Sequence, residues 1–201
     1  MKKVLLTGFD PFGGEAVNPS WEAVSQLHQR KLDGIEVEAI ELPTVFGKSF
    51  QLLQQAVLEF KPDVIICVGQ AGGRSDIALE RVAVNLDDAR IPDNEGNQPT
   101  DKPITFDGPA AYWSTLPVKA VAAAMREEGI PASVSYSAGT FVCNHLFYNL
   151  QHMIASSSHE MKGGFIHIPY LPAQVAERPG VPSMSLDVMA KAIEIAIKSS
   201  V

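Results

Sequence analysis

The chain has 201 residues, 46% of them apolar, and a formal net charge of −7 at pH 7, which suits one sizeable hydrophobic core and offers a polyanion nothing to hold. No Lys/Arg cluster follows a phosphate path, so nucleic acid is excluded as a partner. The opening MKKVLLTGFDPFGG has too short an apolar run for a secretory leader or a membrane span, so one domain over 1–201 in the cytoplasm is expected.

In chain order, KVLLTG (3–8), EVEAIEL (36–42), DVIICVG (63–69), ASVSYSA (132–138) and GGFIHIP (163–169) are short Val/Ile-rich runs, several closed by Gly or Pro, and read as strands. Helical patterns lie between them. Asn18-Pro19 opens SWEAVSQLHQ with a capping residue and a proline at the first helical position, and Thr44 is placed to precede VFGKSFQLLQQAVLEF in the same way. LPVKAVAAAMREEG stops at Gly129, and CNHLFYNLQHMIA and SLDVMAKAIEIAIK complete the helices. This alternation predicts an α/β fold with a mostly parallel sheet covered by helices on both faces, and sites in such sheets gather at the carboxyl ends of strands. From Arg74 to Ser114 the alternation breaks: one strand-like piece, ALERVAVNL, precedes a polar stretch rich in Asp, Asn, Pro and Gly. Irregular segments of that length are usually functional or mobile, and a lid over 92–110 or a subunit interface would leave the same composition.

Two cysteines cannot build a disulfide framework, so each is read as a thiol in its own surroundings. Cys67, inside DVIICVG, reads as a small buried hydrophobe. Cys143 stands instead where a β-rich run turns through Gly139 and Thr140 into a helix. There the unpaired N–H groups and positive dipole end of a first helical turn favour a thiolate and can hold an oxyanion; an inert cysteine at a helix start is the alternative. A thiol nucleophile needs a base. His145, two residues on, points roughly 200° around a helix from Cys143, whereas His167 lies at the carboxyl end of the FIHIPY strand, which a parallel sheet brings near the end of ASVSYSA; a buried structural histidine is the competing use. Glu80, a carboxylate in an apolar run, needs a partner, and an imidazole N–H suits it. Arg81 and Arg90 are the other candidates. TGFDPFGG (7–14) has phosphate-loop glycines but lacks the lysine and hydroxyl that such a loop requires, which leaves Phe9 and Phe12 as core or pocket aromatics. With no CxxC or HxxxH pair, no metal site is expected.

TGFDPFGG with NPSWEA, ICVGQAGGR, ERVAVN, ARIPDNEGNQP, SAGTFVCN and GGFIHIPY together resemble the pyroglutamyl peptidase I family of cysteine peptidases, also called pyrrolidone-carboxylate peptidases. The six blocks span nearly the whole chain in order. The resemblance implies an α/β/α sandwich, removal of N-terminal pyroglutamate from peptides through a thioester, no cofactor, a homotetramer, and Cys143, His167 and Glu80 as nucleophile, base and orienting acid. It also supports a pocket walled by Phe9, Phe12, Phe141 and Val142, with Thr44 and Ile91, that accepts a neutral lactam and rejects the ammonium of an ordinary N-terminus. Backbone groups near Gln70 are the expected lactam partners, and the Cys143 N–H, with Arg90 nearby, the expected oxyanion site. Two other classes are compatible with parts of the pattern: a nucleoside phosphorylase or related hydrolase, from the glycine-rich first loop, and a non-catalytic binder of modified peptide ends.

Overall fold

The computed structural model describes residues 1–201 apart from the side chain of Lys31. The elements, in order, are β1 (Lys2–Phe9), α1 (Pro19–Ser25), β2 (Lys31–Leu32), β3 (Ile35–Leu42), α2 (Lys48–Phe60), β4 (Val64–Gln70), β5 (Ile77–Glu80), β6 (Val82–Val84), β7 (Ala111–Trp113), α3 (Val118–Glu127), β8 (Ala132–Ser135), α4 (Val142–Ser156), β9 (Lys162–Ile168) and α5 (Leu186–Ser200). Seven strands form the main sheet in the order β2-β3-β1-β4-β9-β5-β8, while β6 and β7 pair by themselves.

The alternation of side chains along each strand builds the layers. Val4 and Leu6, Val64, Ile66 and Val68, and Ile166 and Ile168 face α1, α3 and α5, which supply Val24, Val121, Met125, Ile193 and Ile197 to the same core. Their neighbours Leu5, Ile65, Cys67 and Phe165 face α2 and α4 and pack on Leu53, Val57, Leu146, Phe147 and Leu150. Each inner strand is therefore apolar on both faces, as a sheet covered twice must be. The result is the three-layer α/β/α arrangement that the sequence predicts. Among the described residues no helix is long and apolar enough to cross a membrane.

Several local signals operate as read. The Asn18 side chain accepts from the Ser20 N–H with Pro19 at the first helical position, and Gly129 takes a φ of 75° beyond α3. Thr44 does not cap α2. The helix begins only at Lys48, after Gly47 at φ 73°, because Thr44 is tied to the first loop: its N–H donates to Asp10 Oδ1 at 2.7 Å and its hydroxyl to the Asp10 carbonyl at 3.2 Å.

The sheet also departs from simple parallel alternation. β9 runs parallel to β4, but β5 is antiparallel to β9 and β8 is parallel to β5. The ASVSYSA strand thus runs opposite to β9, one strand removed from it, and already ends at Ser135. Its end does not meet the end of β9 as a parallel neighbour. ALERVAVNL divides at Arg81 into β5 of the main sheet and β6 of the small one.

Candidate active site

Strand register brings the key side chains to one face. Gly69 of β4 pairs with His167 of β9, and Glu80 of β5 pairs with Phe165, two residues before His167. Residues paired across strands, and residues two apart within one, share a face. The absent side chain of Gly69, the imidazole of His167 and the carboxylate of Glu80 therefore all point toward α2 and α4.

α4 brings the sulfur to the same place. From Ser135 the chain turns back through Gly139, at φ 77° where an L side chain would be strained, and enters α4 at Val142. Cys143 is the second residue of the helix, so its N–H has no partner four residues back; the first such bond runs from the His145 N–H to the Phe141 carbonyl at 3.0 Å. A Cβ built on Gly69 would lie 2.9 Å from Cys143 Sγ, which puts the sulfur directly above Gly69, one strand over from His167.

His167 Nδ1 and Glu80 Oε1 are 2.8 Å apart, with Glu80 0% exposed and His167 buried. A carboxylate can only accept, so Nδ1 carries the proton in this contact. Arg74 Nη2 stands 3.9 Å from the same Oε1 and donates to Ser135 Oγ at 3.2 Å. The cation facing Glu80 is thus neither Arg81, whose guanidinium lies over Trp113, nor Arg90, which is exposed at the pocket mouth.

Burial outweighs the helix terminus in setting the thiol's charge. Close packing beneath Cys143, then the Glu80 carboxylate and Cys67, push its pKa up to about 12, although one side of the residue opens into the cavity. Burial thus favours the protonated thiol, and a base beside the sulfur is what would let the anion form. The expectation of a thiolate already favoured by the helix start is corrected accordingly. Cys67 is fully buried, and burial lifts it to about 12 as well.

The cavity over this cluster measures about 860 Å³ and is lined by Phe12, Gln70, Arg74, Ile91, Phe141 and others together with Cys143 and His167. Of the predicted wall residues, Phe12, Gln70, Arg90, Ile91 and Phe141 line it; Phe9, Thr44 and Val142 do not. Phe9 is 2% exposed and packs on Phe165 at 6.4 Å between ring centroids. Val142 faces the α2/α4 core, and Thr44 is buried against Asp10. All three stand behind the wall, because the strand end, the helix start and the loop anchor at those positions turn inward.

Three features escaped sequence reasoning, and Arg74 beside Glu80 is the first. Gly69, which makes room for the sulfur, reads as an ordinary strand end. His145 is buried, its Nδ1 2.9 Å from Asp87 Oδ2 and its Nε2 accepting from the Gly47 N–H at 3.1 Å. It ties the loop before α2, with Phe46 edge-on to Phe141, to the 85–110 segment. Among the described residues no group of three or more His, Cys, Asp or Glu could hold a metal ion.

The family model described as pyroglutamyl peptidase matches residues 2–201. The chain belongs to the pyroglutamyl peptidase family. Among its relatives, the pyrrolidone-carboxylate peptidase of Bacillus thuringiensis (strain Al Hakam) is 59% identical over 198 residues, 98% of this chain and 92% of the relative. The crystal structure of Bacillus amyloliquefaciens pyroglutamyl peptidase I superposes with a TM-score of 0.97 at 56% identity, covering 100% of this chain and 97% of that one. A variant of pyrrolidone carboxyl peptidase from the hyperthermophile Pyrococcus furiosus gives a TM-score of 0.96 at 44% identity, over 98% of this chain and 97% of the other. These two structures share this chain's architecture over nearly its whole length.

Proposed function

We propose that this pyroglutamyl peptidase family member removes N-terminal pyroglutamate from peptides, with Cys143 as nucleophile, His167 as general base and then acid, and Glu80 as the group that orients and charge-stabilises His167. The observation that carries it is the 2.8 Å contact between Glu80 and His167, on the same face and one strand away from the glycine over which Cys143 Sγ lies.

His167 Nε2 takes the thiol proton as sulfur attacks the carbonyl joining pyroglutamate to the next residue, and Glu80 stabilises the resulting imidazolium. The tetrahedral oxyanion faces the free N–H of Cys143, with Arg90 at the pocket mouth. Collapse passes the proton from His167 to the departing amine and leaves a thioester; water, deprotonated by the same imidazole, then releases pyroglutamate. Phe12, Ile91 and Phe141 supply an apolar wall that takes a neutral lactam, while a free N-terminal ammonium would have to be desolvated against it. The Gln70 backbone, at the cavity edge, is the proposed partner of the lactam's amide.

The test is release of a fluorophore from a pyroglutamyl amide, beside the corresponding glutaminyl amide, before and after iodoacetamide. Turnover of the first alone, abolished by alkylation of Cys143, supports the assignment. Equal turnover of both, or turnover that survives stoichiometric alkylation, contradicts it. We further propose that residues 1–201 act as one domain in the cytoplasm, as a homotetramer built on large exposed apolar side chains such as Phe106, 89% exposed, with Trp113 and Tyr136. Light scattering on the purified protein reads the assembly directly.

A further inference from the structure

We infer that Arg74 forms a carboxylate-recognising subsite for the leaving group, so that peptides presenting a carboxylate just beyond pyroglutamate are the preferred substrates. This rests on the peptidase reading above and extends it to the residue that departs. A cavity of about 860 Å³ is of the size that takes a drug-sized ligand, and a five-membered lactam fills only part of it. The two ends of the cavity differ in chemistry. On the α4 side, Phe12 and Phe141 stand with ring centroids 6.2 Å apart and make the apolar end. Arg74 lines the cavity too, but its guanidinium lies on the Glu80 side of His167, 3.9 Å from Glu80 Oε1.

The reaction fixes which end receives which part of the substrate. His167 must protonate the departing amine, so the leaving group lies on the imidazole side of the sulfur and the lactam on the other. Arg74 lies past the imidazole from that amine, in the same cavity, so it is placed to meet a group carried further along the departing residue. Its side chain is 35% exposed, and one donor is used on Ser135 Oγ. The remaining guanidinium donors have no hydrogen-bond partner among the described residues, and a planar fork of this kind matches a carboxylate. Asp88, the one carboxylate with an exposed position in the lining, is held on the α4 side: its N–H donates to the Thr140 carbonyl at 3.0 Å and its Oδ1 accepts from the Asp101 N–H at 3.3 Å. The carboxylate that Arg74 would take is either the C-terminal group of a pyroglutamyl dipeptide or an acidic side chain following pyroglutamate.

The experiment compares kcat/KM for pyroglutamyl-alanine, pyroglutamyl-alaninamide and pyroglutamyl-glutamic diamide, with the released amine as readout, in the wild type and in Arg74→Gln and Arg74→Lys. In at least one of two contrasts the wild type should favour the carboxylate-bearing peptide: pyroglutamyl-alanine over pyroglutamyl-alaninamide assigns the subsite to the free C-terminus of dipeptides. For the side chain, pyroglutamyl-glutamic amide with its γ-carboxylate free is compared with that diamide. The expected preference is about 10-fold, or ~1.4 kcal/mol, and should shrink in 0.5 M salt. Arg74→Gln should abolish it and Arg74→Lys keep part. Because Arg74 also faces Glu80, both rates can fall together in the variants, and only their ratio reports the subsite. A wild type that turns over charged and neutral partners equally, or a ratio unmoved in Arg74→Gln, overturns the inference while leaving the peptidase reading intact. No turnover of any peptide by the wild type would defeat that reading and the inference with it.

Discussion

Replacing Gly69 with alanine should disable the enzyme by displacing its sulfur. The added methyl would lie 2.9 Å from Cys143 Sγ, 2.8 Å from Phe165 Cζ and 3.0 Å from Phe165 Cε1, where ordinary contact begins at 3.4 Å. Gly69 has no positive φ, and alanine is easily accommodated in a strand backbone, so the effect is purely one of space. The Phe165 ring cannot retreat, since it is 1% exposed and bounded by Phe9, Phe147 and His167. The sulfur must therefore give way by about 0.5 Å or more, away from the floor it shares with His167. Overpacking of this kind costs about 1–3 kcal/mol of stability, and misplacing a reacting group by ~1 Å costs about 100-fold in rate. The expected result is kcat/KM on a fluorogenic pyroglutamyl amide down about 100-fold, mostly in kcat because the apolar wall is untouched, with a urea midpoint lowered in proportion to that stability loss. Activity within threefold of wild type, with unchanged unfolding, would refute the placement of Sγ over Gly69 and the reasoning built on it.

Cys143→Ser should unfold within about 1 kcal/mol of the wild type and lose at least ~1000-fold in turnover, a serine hydroxyl being a much poorer nucleophile beside the same base; near-normal turnover in the purified variant would exclude the thioester route. Glu80→Gln can still accept the His167 Nδ1 proton but cannot neutralise an imidazolium, so kcat should fall at least about 10-fold with KM near its original value, and an unaltered kcat would reduce Glu80 to a structural partner. Without its base, the Cys143 thiol of a His167→Ala variant, raised from 9.0 to about 12 by burial, should react with iodoacetamide at pH 8 about 1000-fold more slowly than an ordinary thiol; mass spectrometry that finds labelling at the free-thiol rate would show that the sulfur ionises unaided. The buried Cys67 thiol, lifted from 9.0 to about 12, keeps its proton in the folded state at pH values where the unfolded chain has lost it. Its contribution to stability is whole below about pH 9 and is lost as pH rises toward 12, at about 1.4 kcal/mol per pH unit. Urea titrations at pH 9 and 10.5 should therefore show a shallower decline in Cys67→Ala than in the wild type, and parallel declines would disprove the burial of that thiol as a pH-sensitive contribution.

How far the site was legible in the sequence depends on the range of the interaction that makes each part. Asn18-Pro19 capping α1, Gly129 ending α3 and the turn at Gly139 are local: a side chain or a φ value acts within a few residues, and the pattern predicts them. Cys143, His167 and Glu80 were each legible as chemically costly or oddly placed groups, because an apolar run with a carboxylate in it needs a partner wherever it folds. The route by which they meet was not legible. A parallel β8–β9 neighbourhood was the natural expectation, yet β5 enters between them antiparallel to β9, and it is this reversal that sets Glu80 beside Phe165 and within reach of His167. Strand direction is decided by which edge the long connections reach, which no periodicity records.

The same division separates the walls of the pocket from the residues behind them. The layers are legible in residue order alone, since strands apolar on both faces can be satisfied only by helices above and below, and so is the kind of side chain gathered at the candidate site. Only packing between distant segments turns Phe9, Thr44 and Val142 inward, sets Arg74 and not Arg81 or Arg90 against Glu80, raises the Cys143 thiol's pKa by burial, and makes an unremarked glycine leave the space in which the sulfur sits. Each of these is a matter of distance between residues far apart in the chain, and distance exists only once the sheet has closed and the helices have packed on it.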